Sequence, residues 1–273
     1  MKIALLQMNG GIDPAVNAAV VVSAVADAVG QGAEVLFTPE MSNMLDRDRK
    51  RAAEKIACEE DDVFLAEVRK AARQHGISVH IGSLAVDHGD GKWRNRSILI
   101  DNTGKVRAHY DKIHLFDVEL GGGDNWRESS VYKAGAHVVL SDIAGQRLGF
   151  SICYDIRFPA LYRKLAEAKA DIIAIPAAFT VPTGEAHWHV LLRARAIETS
   201  SFVIAAAQCG MHEDGRKTYG HSLVVDPWGR VLHDGGQEPG LAVVELDMEQ
   251  IEKVRQRLPS LANAREIEDY TVS

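Results

Sequence analysis

Cysteine is scarce: 273 residues contain only Cys58, Cys153 and Cys209. An odd number with no paired metal-type spacing argues against a disulfide framework and fits a reducing compartment, so a cytoplasmic location is expected. Each thiol is then either buried filler, the default for a cysteine, or a reactive group. Long apolar runs are missing too. The first ten residues, MKIALLQMNG, hold an apolar stretch too short for a signal-peptide core, and no small-residue cleavage site follows. No segment approaches the roughly 20 apolar residues of a membrane span. The alanine-rich stretch from Val16 to Val29 is broken by Ser23 and Asp27 and reads as a packed helix. There is no basic excess either. The net charge of -7 argues against general affinity for nucleic acid or an anionic membrane, while a local basic pocket for an acidic substrate stays open. Without a Pro/Gly/Ser linker, an internal repeat or a low-complexity tract, residues 1–273 read as one domain.

What is present is an alternation of short β-forming runs with helical patterns. Strands are expected at Lys2–Gln7, Glu34–Phe37, Ile77–Ile81, Arg94–Asp101, Gly104–Tyr110, His137–Leu140, Leu148–Cys153, Asp171–Ile175, Phe202–Ala207, His221–Asp226 and Leu241–Asp247. Helices are expected at Pro14–Val29, Asp61–Gln74, Phe158–Lys169, Glu185–Ser200 and Met248–Leu258. The alternation predicts an α/β protein with helices covering sheet. The Asn102-Thr103-Gly104 turn signal argues that the sheet is mixed rather than purely parallel. The irregular stretch from Asp117 to Val131, with its run Gly121-Gly122-Gly123, reads as a flexible loop and a candidate lid.

Three segments carry unusual chemistry. In LGFSICYDIRFP (Leu148 to Pro159) an apolar strand ends on Cys153, and Pro159 fits the first turn of a helix. A thiol at a strand-to-helix corner follows the logic of a nucleophile elbow, where backbone N–H groups lower its pKa or bind an oxyanion. A buried cysteine at a strand end fits this segment equally well. VLFTPE (Val35 to Glu40) puts a carboxylate at the tip of an apolar strand, and YDKIHLF (Tyr110 to Phe116) puts Lys112 inside an apolar run. Taken singly, Glu40 reads as a solvated loop residue and Lys112 as a surface cation.

In this order the three segments resemble the nitrilase, or carbon–nitrogen hydrolase, superfamily. The resemblance extends over nearly the whole chain through IPAAF (Ile175 to Phe179), TGEAHW (Thr183 to Trp188), LRARAIE (Leu192 to Glu198), YGHS (Tyr219 to Ser222) and VDPWG (Val225 to Gly229). It implies a four-layer α-β-β-α sandwich and a catalytic triad of Glu40, Lys112 and Cys153. It also implies a second glutamate near the lysine, to which Glu128 corresponds, although many relatives have Pro-Gly where this chain has its glycine run. No metal or other cofactor is implied. Relatives associate through surfaces near the elbow, which implies a homodimer or higher oligomer.

Within the superfamily the chain resembles the deaminated glutathione amidases through ARAIET (Ala194 to Thr199), AAAQCG (Ala205 to Gly210) and YGHS. The substrate implied is a small α-keto acid amide, cleaved to α-ketoglutarate and Cys-Gly. The neighbouring alternatives are an ω-amidase acting on α-ketoglutaramate and an N-carbamoyl amino acid hydrolase. A catalytically idle scaffold that only binds a partner is a third reading, which the intact Glu40, Lys112 and Cys153 disfavour. Tyr154 is a candidate for the substrate site through its backbone N–H. Arg157 is a candidate for the substrate carboxylate, or alternatively for an ion pair with Asp155 or Glu40. Phe179 and Thr180 follow a strand that ends near the pocket and are candidates for its lining, with Phe179 as plain core the alternative. His187 and His189 stand two apart and share no helix face, which argues against a metal pair. Cys58 and Cys209 read as filler, and Arg47, Arg49, Lys50 and Arg51 as a solvated helix face.

Overall fold

The computed structural model describes residues 1–119 and 125–267. The first half of the chain runs β1 (Lys2–Gln7), α1 (Pro14–Gly30), β2 (Val35–Phe37), α2 (Arg49–Ala53), α3 (Val63–His75), β3 (Ser78–Asp87), β4 (Trp93–Ile100) and β5 (Val106–Asp111). A small hairpin of β6 (Asp117–Glu119) and β7 (Asn125–Arg127) follows. The second half runs β8 (Leu140–Ile143), β9 (Gln146–Phe150), α4 (Pro159–Glu167), β10 (Ile172–Ala174), α5 (Val181–Thr199) and β11 (Phe202–Ala205). It continues with the hairpin β12 (Cys209–Met211) and β13 (Lys217–Tyr219), then β14 (Leu223–Val225), β15 (Val231–Asp234), β16 (Gly240–Glu245) and α6 (Glu249–Arg257). Two six-stranded mixed sheets result, ordered β16-β1-β2-β3-β4-β5 and β15-β14-β11-β10-β9-β8. None of the described helices is long and apolar enough to cross a membrane.

Strand periodicity explains why the sheets stack. Successive side chains point to opposite faces, and β1 is apolar on both. Ile3 and Leu5 join a core with Phe150, Ile173 and Ile204 of the second sheet, while Ala4 and Leu6 pack with Val21 and Val25 of α1 and Phe64 and Val68 of α3. The second sheet is covered by α4 and α5, whose Tyr162, Leu165, Trp188 and Leu192 are buried in the first of these cores. The expected four-layer α-β-β-α sandwich is thus a direct consequence of strands that are apolar on two faces. Capping fixes the helix starts: Asp13 accepts from the N–H groups of Ala15 and Val16, and Asp62 from that of Leu65.

Several elements differ from the sequence expectation. The strand expected at His137–Leu140 lies at Leu140–Ile143, because Ala144 (φ 46°) and Gly145 (φ 78°) form the two-residue turn that pairs it with β9. Helix α5 starts four residues earlier than expected, since Pro182 is accommodated in its first turn. The β12–β13 hairpin and β15 had no counterpart in the expectation. The stretch expected to be an irregular lid is mostly hairpin and 3₁₀ turn (Glu128–Ser130), and Gly121-Gly122-Gly123 lies outside the described residues.

Between the sheets lies a buried imidazole. His80 of β3 is fully buried between Phe37 and Phe150, with ring centroids 5.3 and 5.4 Å away, and its Nε2 is 2.9 Å from Ser97 Oγ. Burial pushes its pKa down to about 3. In the unfolded chain it protonates below about 6.5. Between those values the unfolded state binds the extra proton, so stability falls as the pH falls. The slope from this one group is about 1.4 kcal/mol per pH unit. Urea titrations between pH 7 and 3.5 are expected to show a gentler acid loss in His80→Leu than in the parent; parallel curves would rule out His80 as a source of the acid sensitivity.

Candidate active site

Parallel strands deliver reactive groups to one end of a sheet, where ligands bind α/β proteins. Here β1, β2 and β3 are parallel in one sheet, and β9, β10 and β11 in the other. The chain leaving β2 carries Glu40, that leaving β9 carries Cys153, and that leaving β10 carries Ala178 to Thr180. The two sheet ends approach closely at Gly82. A Cβ there would stand 2.1 Å from the Thr38 carbonyl oxygen and 2.5 Å from Pro176 Cβ. Only glycine lets the Glu40 loop and the Pro176 segment close to this distance.

Glu40, Lys112 and Cys153 are each less than a tenth exposed and meet on the wall of one cavity of about 660 Å³. Lys112 Nζ donates to Glu40 Oε1 at 2.8 Å and to Glu128 Oε2 at 3.0 Å. Ala178 N–H donates to the other Glu40 oxygen at 2.9 Å. Phe116 N–H donates to Glu128 at 2.7 Å, which helps fix that carboxylate. Cys153 sits at φ 48° at the start of a 3₁₀ turn (Cys153–Arg157). This left-handed conformation is strained for a residue with a side chain and is typical of functional corners. Asp155 holds the corner: it accepts from Ile152 N–H at 2.8 Å, Tyr110 Oη at 2.7 Å and His114 N–H at 3.0 Å. One carboxylate thereby ties the Lys112 segment to the Cys153 segment.

The protonation pattern follows from burial and charge. Burial alone would raise the Glu40 carboxyl, but the charge and hydrogen bond of Lys112 bring it below the ordinary range, helped by Cys153 and Asn95. Burial opposes a charged Lys112, yet Glu128 and Glu40 together hold its ammonium well above the ordinary value. Burial and the Glu40 charge push the Cys153 thiol well up, against the pull of Lys112. At neutral pH the resting site is therefore carboxylate, ammonium and neutral thiol.

Of the other expected residues, Glu128, Tyr154, Phe179 and Thr180 line the same cavity. Arg157 does not. Its Nη2 lies 3.3 Å from His187 Nδ1, and its guanidinium stacks 5.5 Å from the Phe179 ring. The alternative ion pairs with Asp155 or Glu40 are not formed either, because Asp155 is occupied by the corner and Glu40 by Lys112. The cavity cations instead include Arg47, Arg127, Arg216 and Lys217. Arg47 and Arg49 were expected on a solvated helix face. Both reach the cavity wall, while Arg51 turns back to Asp46 at 2.7 Å. Cys209 is buried, as filler is, and burial pushes its thiol up to about 11. Cys58 is only partly buried and bonds Asp61 at 3.1 Å.

Sequence reasoning missed Asn95. Its amide donates to Glu40 Oε1 at 2.9 Å and to Glu128 Oε1 at 3.0 Å, and its own carbonyl oxygen has no partner. It lies in β4 among charged residues that read as an ordinary strand. It also missed a cluster of His189, His221 and Asp234, whose ligand atoms lie within 4.8 Å of one another. Asp234 already bonds both rings, at 3.0 and 2.8 Å, which satisfies the cluster without a cation.

A layered α-β-β-α fold with a thiol, a carboxylate and an ammonium gathered at the sheet ends is the arrangement the sequence led one to expect of hydrolases acting on carbon–nitrogen bonds. The family model for Carbon-nitrogen hydrolase matches residues 2–256, and the chain belongs to that family. It is 42% identical over 240 residues to a deaminated glutathione amidase of Synechocystis sp., covering 86% of this chain and 87% of that protein. The nitrilase and fragile histidine triad fusion protein NitFhit of Caenorhabditis elegans has a crystal structure similar at a TM-score of 0.89 and 36% identity, covering 97% of this chain. This chain spans 65% of that longer one. An amidase variant from Nesterenkonia sp. AN1, 30% identical with a TM-score of 0.80 over 95% of this chain and 98% of that chain, carries acrylamide joined by Michael addition to its active site cysteine.

The double amide bridge of Asn95 predicts that Asn95→Leu lowers kcat on an amide substrate by about 10- to 100-fold, the equivalent of one charge-assisted hydrogen bond. The thermal midpoint should be measured alongside. A kcat within twofold of the parent in a folded variant would show that the bridge has no part in turnover.

Proposed function

We propose that the chain hydrolyses the amide bond of deaminated glutathione through a thioester on Cys153, releasing Cys-Gly and then α-ketoglutarate. The observation that carries this reading is the convergence of the buried Cys153, Glu40 and Lys112 on one roomy cavity, with Lys112 Nζ 2.8 Å from Glu40 Oε1 and cationic side chains on the outer wall. The name of the Synechocystis relative supports the choice of substrate.

The steps follow from the residue chemistry. Glu40 takes the thiol proton as sulfur attacks the amide carbon. The oxyanion that forms is met by Lys112 and by the N–H of Tyr154, one of the groups at the start of a helical turn with no partner inside it. The C–N bond breaks as Glu40 returns the proton to the departing amine, leaving the thioester. Glu40 then takes a proton from water, whose oxygen attacks the thioester, and the proton passes to sulfur as the C–S bond breaks. One carboxylate serves as base and acid in turn, an effect worth about 10²–10⁴-fold in rate. Glu128 holds Lys112 in place and shares the Asn95 amide with Glu40. No step requires a metal.

Two measurements test this. Cys153→Ser or Cys153→Ala should lose at least about 10³-fold in kcat, since the nucleophile itself is removed, and iodoacetamide should label Cys153 ahead of Cys58 and Cys209. Side-by-side kcat/KM values for deaminated glutathione, α-ketoglutaramate, a simple nitrile and an N-carbamoyl amino acid decide the substrate. Deaminated glutathione should lead. Turnover of only the nitrile or the carbamoyl compound would reject the α-keto acid amide reading.

A further inference from the structure

The cavity is graded in charge and burial. Its floor holds Glu40, Lys112 and Cys153, all buried; its outer wall holds Arg47, exposed, and Arg216 and Trp126, each half-buried. The guanidinium of Arg47 lies 5.0 Å from the Trp126 ring centroid and that of Arg216 lies 5.1 Å from it. The two cations are therefore at most about 10 Å apart on a shared flat indole, and cation–π attraction orients both.

The neighbouring acids pair with Arg216 but leave Arg47 free of an ion pair among the described residues. Asp46 is taken by Arg51 through two bonds of 2.7 and 2.8 Å. Asp214 accepts Nε of Arg216 at 2.8 Å, which leaves the Nη edge of that guanidinium without a described partner. Among the described residues no carboxylate lies within 4.0 Å of Arg47. Arg127, nearby, is engaged by Glu119 at 3.4 Å, and Lys217 adds an exposed cation to the same wall. Two guanidinium forks in such a setting match a carboxylate, which either can bind bidentately.

Spacing identifies which carboxylate. From Tyr154, beside the nucleophile, the Phe116 ring is 5.0 Å away, and the Trp126 ring is a further 6.2 Å from Phe116. A dipeptide amine leaving from the scissile bond extends roughly 7 Å, far enough to carry its terminal carboxylate past Phe116 toward the indole. We propose that Arg47 and Arg216, braced on Trp126, bind the C-terminal carboxylate of the peptide leaving group and so select peptide amides of α-keto acids over simple primary amides. The proposal rests on the amidase reading above and adds to it a residue set for the half of the substrate that departs.

The test uses the full chain and three substrates: deaminated glutathione, the same compound with its C-terminal carboxylate converted to a carboxamide, and α-ketoglutaramate. The parent should prefer the free acid over the carboxamide by about tenfold or more in kcat/KM, as loss of a charge-assisted pair implies. Arg47→Ala and Arg216→Ala should each collapse most of that preference, and Arg47→Lys should keep part of it. Equal turnover of acid and carboxamide by the parent would overturn the proposal. So would arginine variants that slow all three substrates by the same factor, the signature of a structural role. If the parent turns over neither deaminated glutathione nor α-ketoglutaramate, the amidase reading itself falls, and the subsite with it.

Discussion

The buried ammonium of Lys112 between Glu40 and Glu128 is the contact on which the rest of the site depends. Without it, two carboxylates sharing the Asn95 amide would repel each other in a medium that screens them poorly, and at least one would take up a proton. With it, Glu40 stays ionised and able to accept the Cys153 proton. The cost of burying three ionisable groups is offset only because each is hydrogen-bonded as well as paired. Backbone N–H groups of Ala178 and Phe116 and the amide of Asn95 supply those bonds. Removing any one leaves a buried charge short of a partner, which is why such a cluster tolerates change poorly.

The fold's contribution is to bring the three groups from different places to one point. Glu40 follows a strand of one sheet, Cys153 follows a strand of the other, and Lys112 directly follows the edge strand β5. Two devices hold that convergence. Gly82 lets the two sheet ends touch, and Asp155 fastens the elbow to the lysine segment. The Asp155 clamp also explains the strained backbone at Cys153: a residue held at positive φ needs fixed neighbours on both sides, and Asp155 bonds the residue before the corner while Pro176 accepts from Cys153 N–H at 2.8 Å.

Much of this was legible in the sequence, for identifiable reasons. The two-faced apolar strands and the capped helices are local patterns, so the sandwich followed from them once the superfamily resemblance supplied its topology. Glu40, Lys112 and Cys153 read singly as a loop residue, a surface cation and an even choice between core thiol and nucleophile, and only their order, through the superfamily resemblance, drew them together. Asn95 did not, because an amide in a strand carries no local signature, and its role exists only through two partners 55 and 33 residues away. Arg157 was assigned on proximity to the nucleophile along the chain. In space its side chain turns to His187 and to the Tyr154 and Phe179 rings, while Arg47 and Arg216, far away in sequence, reach the cavity beside Trp126. Short paired strands such as β12, β13 and β15 were missed because their pairing depends on turns and partners rather than on periodicity.

The charge count of the floor also bears on how a substrate lies in the cavity. Glu40 and Glu128 outnumber Lys112, so the floor carries a net negative charge while the thiol is neutral. Moving the proton from Cys153 to Glu40 shifts that charge onto sulfur without changing its sum, and the same holds when the charge passes to the substrate oxyanion. Lys112 faces every one of these positions, so stabilisation is present before and after each transfer and requires little reorganisation. A carboxylate of the substrate would be repelled from this floor and drawn to the guanidinium groups of the wall. The cationic rim therefore favours a pose that sets the carboxylate of the departing peptide outward, with the scissile carbon at Cys153.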